Sequence, residues 1–270
     1  MKNTFLIDLD GTLYSGSAPM PFAAEFAAFL NARHFTWSAL TNCPSKTREQ
    51  VAEKLGNMGI AIPAQNVLTS GMAAASILKN KHKFHSVFTL GTPALAAECE
   101  RVGLRCDDTA PDAVLVGFDP ALTYERLRRA CTLVNNGARL FCTNPDNVIP
   151  FNGEHIPHSG ALAKAVECAT GQAAIYIGKP FPGMFDIARE MWGYEKDNCV
   201  MIGDRLDTDG LFARNCGMEF WWVAPEKPDG VCAPGHAFNN LSEIIAFIKE
   251  KHPVREPLST PPRRLISPRF

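Results

Sequence analysis

The stretch Asp8-Leu9-Asp10-Gly11-Thr12-Leu13 follows the apolar run Thr4–Ile7, which has the length and composition of a buried β-strand. Side chains two residues apart on a strand point to the same side, so the carboxylates of Asp8 and Asp10 are expected to lie close together. Gly11 can adopt the backbone dihedral angles of a tight turn directly after them. Because like charges at short distance repel each other, this pair indicates a compensating cation or a functional demand.

Polar or charged residues also follow other strand-like runs. These junctions are Phe35–Leu40 into Thr41-Asn42, Ala174–Ile177 into Gly178-Lys179, and Cys199–Ile202 into Gly203-Asp204, and the run Phe220–Val223 indicates a further strand of the same sheet. Such runs alternate with longer helical patterns, which predicts an α/β fold with a mostly parallel sheet. Since the carboxyl ends of strands form the ligand crevice of open α/β sheets, we expect these distant residues to meet there.

The acidic residues predict a metal site. The segment Gly203–Asp209 supplies a second acidic cluster, and its Asp204 could complete a site begun by Asp8 and Asp10. Mg²⁺ prefers oxygen ligands and commonly takes only one or two carboxylates, together with water and substrate phosphate. The sequence therefore favours magnesium as the cofactor. Asp207 is either a further ligand or a carboxylate favoured by a helix N-terminus.

The middle of the chain has its own alternation of elements. Strand-like segments are Ser86–Leu90, Ala113–Phe118 and Arg139–Thr143, and helical spacing covers Tyr124–Asn135 and Ser159–Thr170. This predicts a discontinuous core, residues 1–70 and 172–252, with an α/β domain inserted at 71–171. The last segment, 253–270, has five prolines and four arginines and is expected to be an extended tail or linker.

Composition excludes several protein classes. The chain has 270 residues, 46% hydrophobic and 20% charged, which is typical of a globular protein and not of a disordered one. A formal charge of -1 argues against a nucleic-acid binder, since phosphate-backbone binding usually needs a strong basic excess. No apolar run approaches the roughly 18 residues of a membrane span. Asp8 and Asp10 interrupt the apolar start too early for a secretion signal, so we expect a cytoplasmic protein.

Nine cysteines are scattered along the chain without a C-x-x-C pair. Their odd number and spacing indicate free, buried thiols in a reducing compartment rather than disulfides or a zinc site.

Four motifs together resemble a known family. In order along the chain they are Asp8-x-Asp10-Gly-Thr-Leu, Thr41-Asn42, Gly178-Lys179-Pro180 and Gly203-Asp204-x-x-x-Thr208-Asp209. They resemble the signature motifs of the haloacid dehalogenase superfamily, and the position of the insert resembles its NagD-like branch of phosphatases. The resemblance covers about residues 4–250 and implies a three-layer, Rossmann-like core with a parallel sheet and an inserted α/β cap domain.

The resemblance also implies a role for each motif residue. Asp8 would be the nucleophile that forms an aspartyl-phosphate, and Asp10 the general acid and base. Magnesium would be held by the Asp8 carboxylate, the Asp10 backbone carbonyl and the Asp204 carboxylate. The phosphoryl group would be bound by Thr41, Asn42 and Lys179. Asp209 would orient Lys179 or a metal-bound water.

The inserted domain would act as a cap that contacts the non-phosphate part of the substrate. The candidate contacts lie in the segment 143–147 and just before the helix at Ser159, namely Asn144, Asp146, Asn147, His155 and His158. The alternative is that these residues are turn formers and helix caps. Many relatives have a further asparagine where this chain has Cys43, which is either a packed side chain or a reactive thiol.

We therefore expect a magnesium-dependent phosphatase acting on small phosphomonoesters. A phosphotransferase or phosphomutase would share the aspartyl-phosphate, and a phosphate-binding regulatory module would have lost turnover. The presence of Asp10 favours turnover, since storage of a phosphoryl group needs no acid two residues after the nucleophile. The expected partner is a small phosphate ester, with no nucleic acid and no membrane, and the resemblance also implies a homodimer.

Overall fold

The computed structural model describes residues 2–151, 153–224 and 235–252, which form two parallel β-sheets, two short antiparallel hairpins and flanking helices. The strands are β1 (Thr4–Ile7), β2 (Tyr14–Ser15), β3 (Ala18–Pro19), β4 (Thr36–Thr41), β5 (Val67–Thr69), β6 (Ser86–Leu90), β7 (Arg105–Cys106), β8 (Ala113–Val116), β9 (Arg139–Cys142), β10 (Val148–Phe151), β11 (Glu154–Pro157), β12 (Ile175–Tyr176), β13 (Cys199–Gly203), β14 (Glu219–Val223) and β15 (Gly235–Phe238). The helices are α1 (Ala23–Ala32), α2 (Arg48–Gly56), α3 (Ser70–Asn80), α4 (Pro93–Arg101), α5 (Tyr124–Asn135), α6 (Ser159–Thr170), α7 (Gly183–Trp192), α8 (Leu211–Cys216) and α9 (Leu241–Lys251).

Local sequence signals explain where several helices begin. At α2, the Thr47 hydroxyl accepts a hydrogen bond from the Gln50 backbone N–H, and the Gln50 side chain accepts one from the Thr47 N–H. This reciprocal pair satisfies two of the backbone donors that a helix start leaves without partners. Asn240 caps α9 in a related way, since its side chain accepts from the backbone of Ser242 and Glu243.

The main sheet has the strand order β15-β14-β13-β1-β4-β5, and every pair of neighbours is parallel. Both faces are covered, which explains why Phe5, Leu6 and Ile7 of β1 are all apolar rather than alternating with polar residues. Phe5 and Ile7 pack with side chains of α1, α2 and α9, whereas Leu6 faces the cluster formed with α3, α7 and α8. The main sheet is therefore the central layer of the predicted three-layer α/β core, and that fold class is confirmed.

The second sheet has the order β12-β9-β8-β6-β7, again with all neighbours parallel. Along β8, Val114 and Val116 pack against α5 and α6, while Ala113 and Leu115 point to the opposite face. That opposite face belongs to the same hydrophobic cluster as α3 and the inner face of the main sheet. The two sheets thus share one apolar cluster.

The predicted elements of the middle segment match the structure closely. The strand Ser86–Leu90 and the helices Tyr124–Asn135 and Ser159–Thr170 have the predicted bounds. One strand assignment was wrong: the run before Gly178 forms β12, which pairs with β9 at the edge of the second sheet and not within the main sheet. The division of the chain at residues 70 and 172 stays a prediction.

Three other expectations concern the whole chain. The eight cysteines in the described residues are all free, but Cys106 and Cys168 are exposed, so the thiols are not uniformly buried. Cys232 and the predicted tail, 253–270, lie outside the described residues. In the described part of the chain, no helix combines the length and the apolar character that crossing a membrane requires.

Candidate active site

The carboxyl ends of three adjacent strands place the predicted site residues at one edge of the main sheet. Asp204, Asp8 and Thr41 lie at or just after the ends of β13, β1 and β4, which are neighbours in the sheet. The Asp8 backbone N–H donates to the carbonyl of Ile202 at 2.9 Å, so the parallel pairing continues into the site. The strand ends therefore converge as predicted.

Lys179 reaches this edge from the second sheet. Two residues after the end of β12, the Gly178 N–H donates to the Thr143 carbonyl at 2.8 Å, which fixes the backbone one residue before the lysine. A Cβ atom on Gly178 would lie 2.6 Å from the Thr143 carbonyl oxygen and 2.7 Å from Asn42 Oδ1, so this position has no room for a side chain. The close packing of three segments here requires glycine.

The Lys179 ammonium is the centre of a buried ion-pair network. Its Nζ lies 2.5 Å from Asp8 Oδ1 and 2.7 Å from Asp209 Oδ1, and it also donates to the Leu40 carbonyl at 3.2 Å. Burial alone would lower the pKa of Lys179, but the charges of Asp209 and Asp8 raise it above its usual value. The ammonium therefore stays charged between the two carboxylates.

Three carboxylates gather around this ammonium. Ligand oxygens of Asp8, Asp204 and Asp209 all lie within 4.8 Å of one another. Burial raises the pKa of Asp8 well above its usual range, although the charge of Lys179 acts in the opposite direction. Burial and the charge of Asp209 raise the pKa of Asp204 to about 6. One ammonium thus leaves negative charge in the cluster uncompensated.

The turn after β1 positions Asp204. Gly11 has a φ of +94°, and a Cβ atom there would lie 2.2 Å from Asp204 Oδ2. Thr12 donates its hydroxyl to Asp204 Oδ1 at 3.3 Å. The Gly-Thr pair of the first motif therefore makes room for the Asp204 carboxylate and then hydrogen-bonds to it.

Asp10 lies beside the cluster rather than within it. Asp10 is exposed to solvent, and its backbone forms a bridge with Tyr14. Partial desolvation by neighbouring atoms raises the pKa of its carboxyl, whereas the charge of Lys54 lowers it. The ammonium of Lys54 lies 3.5 Å from the centre of the buried Tyr14 ring. A solvent-accessible carboxyl with a raised pKa, next to a buried carboxylate, suits proton transfer.

At the end of β4, the Thr41 hydroxyl donates to no acceptor among the described residues, whereas both amide protons of Asn42 are used. The Thr41 Oγ1 accepts from the Cys43 N–H at 3.1 Å, which leaves its own proton available. The Asn42 Nδ2 donates to Asp146 Oδ2 and to the Lys179 carbonyl, each at 2.9 Å. Cys43 is half-buried, with Sγ 3.3 Å from the Ser45 hydroxyl.

The candidate residues of the insert separate into two groups. Asn144, Asp146 and His158 lie next to Asn42: Asn144 Nδ2 donates to the Asn42 carbonyl at 2.8 Å, and its Oδ1 lies 3.3 Å from His158 Nδ1. Asn147 and His155 are exposed; the Asn147 carbonyl accepts a hydrogen bond from the His158 N–H at 2.9 Å, whereas the structure shows no contact between His155 and this group among the described residues.

Comparison with known proteins places this geometry in a family. A model described as haloacid dehalogenase-like hydrolase matches residues 5–105, and one described as HAD-hydrolase-like matches residues 176–243. The acid sugar phosphatase of Staphylococcus haemolyticus is 38% identical over 259 residues, which cover 93% of this chain and 98% of that protein. The chain belongs to the haloacid dehalogenase-like hydrolases.

Solved structures of this family are similar to the hydrolase over nearly its whole length. The 4-nitrophenylphosphatase of Thermotoga maritima has a TM-score of 0.85 and 33% identity, with 91% of this chain and 97% of that chain covered. NagD from Escherichia coli K-12 has a TM-score of 0.83 and 28% identity, with 90% and 98% covered. The predicted resemblance to the NagD-like branch is confirmed.

The carboxylate cluster of the hydrolase fits a divalent metal ion, as the family suggests. Its donors are carboxylate oxygens, which hard cations prefer. Burial and neighbouring carboxylates raise the pKa values of Asp8 and Asp204, and a bound dication would act in the opposite direction. The side-chain cluster contains Asp209 and not Asp10, so Asp10 would contribute through its main chain only.

Two basic residues of the hydrolase were not singled out in the sequence. Arg205 contacts Asp146 and also forms an ion pair with Asp207 at 2.9 Å. Its place directly after Asp204 in the fourth motif was a usable signal. Lys54 lies on α2, far from any motif, and no local pattern connects it to Tyr14 or Asp10.

Proposed function

We propose that this hydrolase is a magnesium-dependent phosphatase that cleaves small phosphomonoesters through an aspartyl-phosphate. The observation that carries the proposal is the Lys179 ammonium held between Asp8 and Asp209, with Asp204 on the same cluster. A carboxylate nucleophile can approach an anionic phosphoryl group only where positive charge offsets both. The relatives named as phosphatases support the same activity.

The proposed metal ligands are the Asp8 carboxylate, the Asp10 backbone carbonyl and the Asp204 carboxylate. When bound, Mg²⁺ would add positive charge beside the phosphoryl oxygens and the nucleophile. Asp209 serves the site by holding Lys179: its Oδ1 accepts from the ammonium at 2.7 Å, and its Oδ2 accepts from the Arg205 N–H at 3.3 Å.

In the first step, a carboxylate oxygen of Asp8 attacks phosphorus, and the bond from phosphorus to the ester oxygen breaks. Asp10 gives its proton to that leaving oxygen, so the alcohol departs neutral. Lys179 and the free Thr41 hydroxyl proton stabilise the phosphoryl oxygens during the transfer. The raised pKa of Asp10 favours the protonated form that this step needs.

In the second step, Asp10 acts as a base. It takes a proton from a water molecule, the water oxygen attacks phosphorus, and the bond from phosphorus to Asp8 breaks. Inorganic phosphate leaves, and Asp8 returns as a carboxylate while Asp10 is again protonated. One carboxyl thus serves both steps because its charge state alternates.

We also propose that the insert, residues 71–171, acts as a cap on a core of residues 1–70 and 172–252. The contacts of Asn144 and Asp146 with Asn42 support this, since they place a loop of the insert beside the catalytic edge. Such a cap excludes water that competes with transfer and contacts the alcohol part of the substrate. We further propose that the protein forms a homodimer, as the family resemblance implies.

Release of inorganic phosphate tests the function. The purified chain is incubated with sugar phosphates, nucleotides, phosphoglycolate, pyridoxal phosphate and 4-nitrophenyl phosphate, with and without Mg²⁺. We expect magnesium-dependent release that Asp8→Asn abolishes and that Asp108→Asn, an exposed aspartate of the insert, leaves unchanged. No release from any substrate contradicts a phosphatase, and transfer to an added alcohol in place of release identifies a phosphotransferase.

A further inference from the structure

The side chain of Asn42 is fixed by two acceptors on different segments. Its Nδ2 donates to Asp146 Oδ2 and to the Lys179 backbone carbonyl, both at 2.9 Å, so both amide protons are used. Rotating the amide by 180° would place Oδ1 against two acceptors, which fixes the orientation. Asn42 Oδ1 is buried without a partner among the described residues. The amide therefore joins two segments and has no proton left for a phosphoryl oxygen.

Asp146 is itself held rigidly. Its side chain is 11% exposed, and Oδ1 lies 3.5 Å from Arg205 Nη1. Its backbone N–H donates to Asn144 Oδ1 at 3.1 Å, and its carbonyl accepts from the Gly160 N–H at 2.9 Å. A carboxylate that is this buried and this constrained suits a fixed structural contact better than a mobile contact with substrate.

The loop of residues 143–147, which contains Asp146, also holds the backbone of Gly178 and Lys179 through a second set of contacts. Thr143 accepts the Gly178 N–H through its carbonyl, one residue before Lys179. Asn144 donates to the carbonyl of Asn42, which also accepts the Ser70 hydroxyl at 2.7 Å. Lys179 is thus held at its backbone by Asn42 and at its ammonium by Asp8 and Asp209.

We propose that Asp146 is a positioning residue of the reaction, acting through the Asn42 amide on the backbone of Lys179 and not on the substrate. The inference rests on the proposed phosphatase function. Without an acceptor at position 146, the Asn42 amide is free to rotate away from the Lys179 carbonyl. A displacement of about 1 Å in a catalytic group can cost about 10²-fold in rate. The loop of residues 143–147 therefore determines the position of the Lys179 ammonium.

Steady-state kinetics of Asp146→Ala and Asp146→Asn separate positioning from substrate contact. Asn keeps an acceptor oxygen for Asn42, whereas Ala does not. We expect Asp146→Ala to lower kcat about 10–100-fold with KM within about threefold of wild type, and Asp146→Asn to keep kcat within about threefold. The relative kcat/KM values across substrates should not change. Asp108→Ala on the exposed surface of the insert is the control.

A double-mutant cycle shows whether the effect passes through Asn42. If it does, Asp146→Ala causes no further loss of kcat in an Asn42→Ala background. Additive losses, a raised KM with a reordered substrate preference, or equal impairment by Asn and Ala at position 146 would each overturn the proposal.

Exchange of the Asn42 side-chain amide protons gives a readout that does not need activity. In ¹⁵N-labelled protein, with the signal assigned by its loss in Asn42→Ala, we expect slow exchange in wild type and Asp146→Asn and fast exchange in Asp146→Ala. If the Asn42 amide protons exchange as slowly in Asp146→Ala as in wild type, the inference is contradicted, whether or not the midpoint of thermal unfolding changes. An inactive wild-type protein would instead overturn the proposed function, and the exchange measurement would still test the role of Asp146.

Discussion

Lys179 Nζ lies 2.5 Å from Asp8 Oδ1, although 171 positions separate the two residues in the chain. Their side chains are only 2% and 11% exposed, so the ion pair lies where water screens it little. Removing one partner of such a pair leaves an uncompensated buried charge. The pair therefore links the stability of the fold to the charge balance of the candidate active site.

Lys179→Met is expected to destabilise the protein as well as inactivate it. The substitution leaves Asp8 and Asp209 without their cation, and we expect a loss of about 3–5 kcal/mol in the free energy of unfolding at pH 7. Urea denaturation without metal measures it. The control is Lys81→Met, which breaks the half-exposed ion pair with Asp186 and should cost less than about 1 kcal/mol. Equal effects of the two variants would contradict the expectation.

Gly11→Ala is expected to weaken metal binding by displacing Asp204. The new Cβ would lie 2.2 Å from Asp204 Oδ2, at a backbone φ of +94°. We expect the affinity for Mg²⁺, measured by titration calorimetry, to fall about 10–100-fold.

Gly16→Ala is the matched control for Gly11→Ala. It also has a positive φ, +59°, but no atom lies within 4 Å of the added Cβ. It should cost about 1–2 kcal/mol through backbone strain and leave Mg²⁺ affinity unchanged. If both variants bind Mg²⁺ equally well, the contact between Gly11 and Asp204 does not shape the metal site.

His158 is expected to make the protein less stable in acid. Burial lowers its pKa from the ordinary value of 6.5 to about 4, and its ring stacks on Phe118. The contribution of the neutral His158 ring to the free energy of unfolding is fully present above pH 6.5. It is lost as the pH falls toward 4, because the unfolded chain takes up the proton at a higher pH than the folded chain does. The loss amounts to about 3 kcal/mol.

Urea unfolding at pH 7.5 and 4.5 measures the free energy of unfolding of wild type and His158→Gln and so tests this pH dependence. The wild-type protein should lose more stability than the variant between the two pH values. His155→Gln, at an exposed position in β11, should follow wild type. A variant at position 158 with the same pH dependence as wild type would show that the buried ring does not titrate in this way.

The strand ends of the core could be predicted because each motif directly follows its own apolar run. Asp8, Thr41 and Asp204 required only the rule that parallel strands present their carboxyl ends at one edge. The run before Lys179 was placed in the wrong sheet because β12 is two residues long, and its partner β9 is set by pairing that no local pattern records. The roles assigned to these residues stay predictions.

Side-chain use in the site was harder to predict than position. Binding of a phosphoryl oxygen by Asn42 stays a prediction; in the structure its amide protons go to Asp146, 104 positions away, and to the Lys179 carbonyl. The hairpin of β10 and β11 was missed because Pro150 and Pro157 interrupt its alternation. A contact between segments distant in sequence decides the first case, and prolines within a local hairpin decide the second.

The edge strand β12 has a consequence for how this architecture can change over time. Since Lys179 follows a strand of the second sheet, an ancestor or engineered form that lost residues 71–171 would lose β9, the strand that holds β12 and with it the backbone before this lysine. Exchange of residues 71–171 for another segment must therefore preserve the strand pairing that positions Lys179.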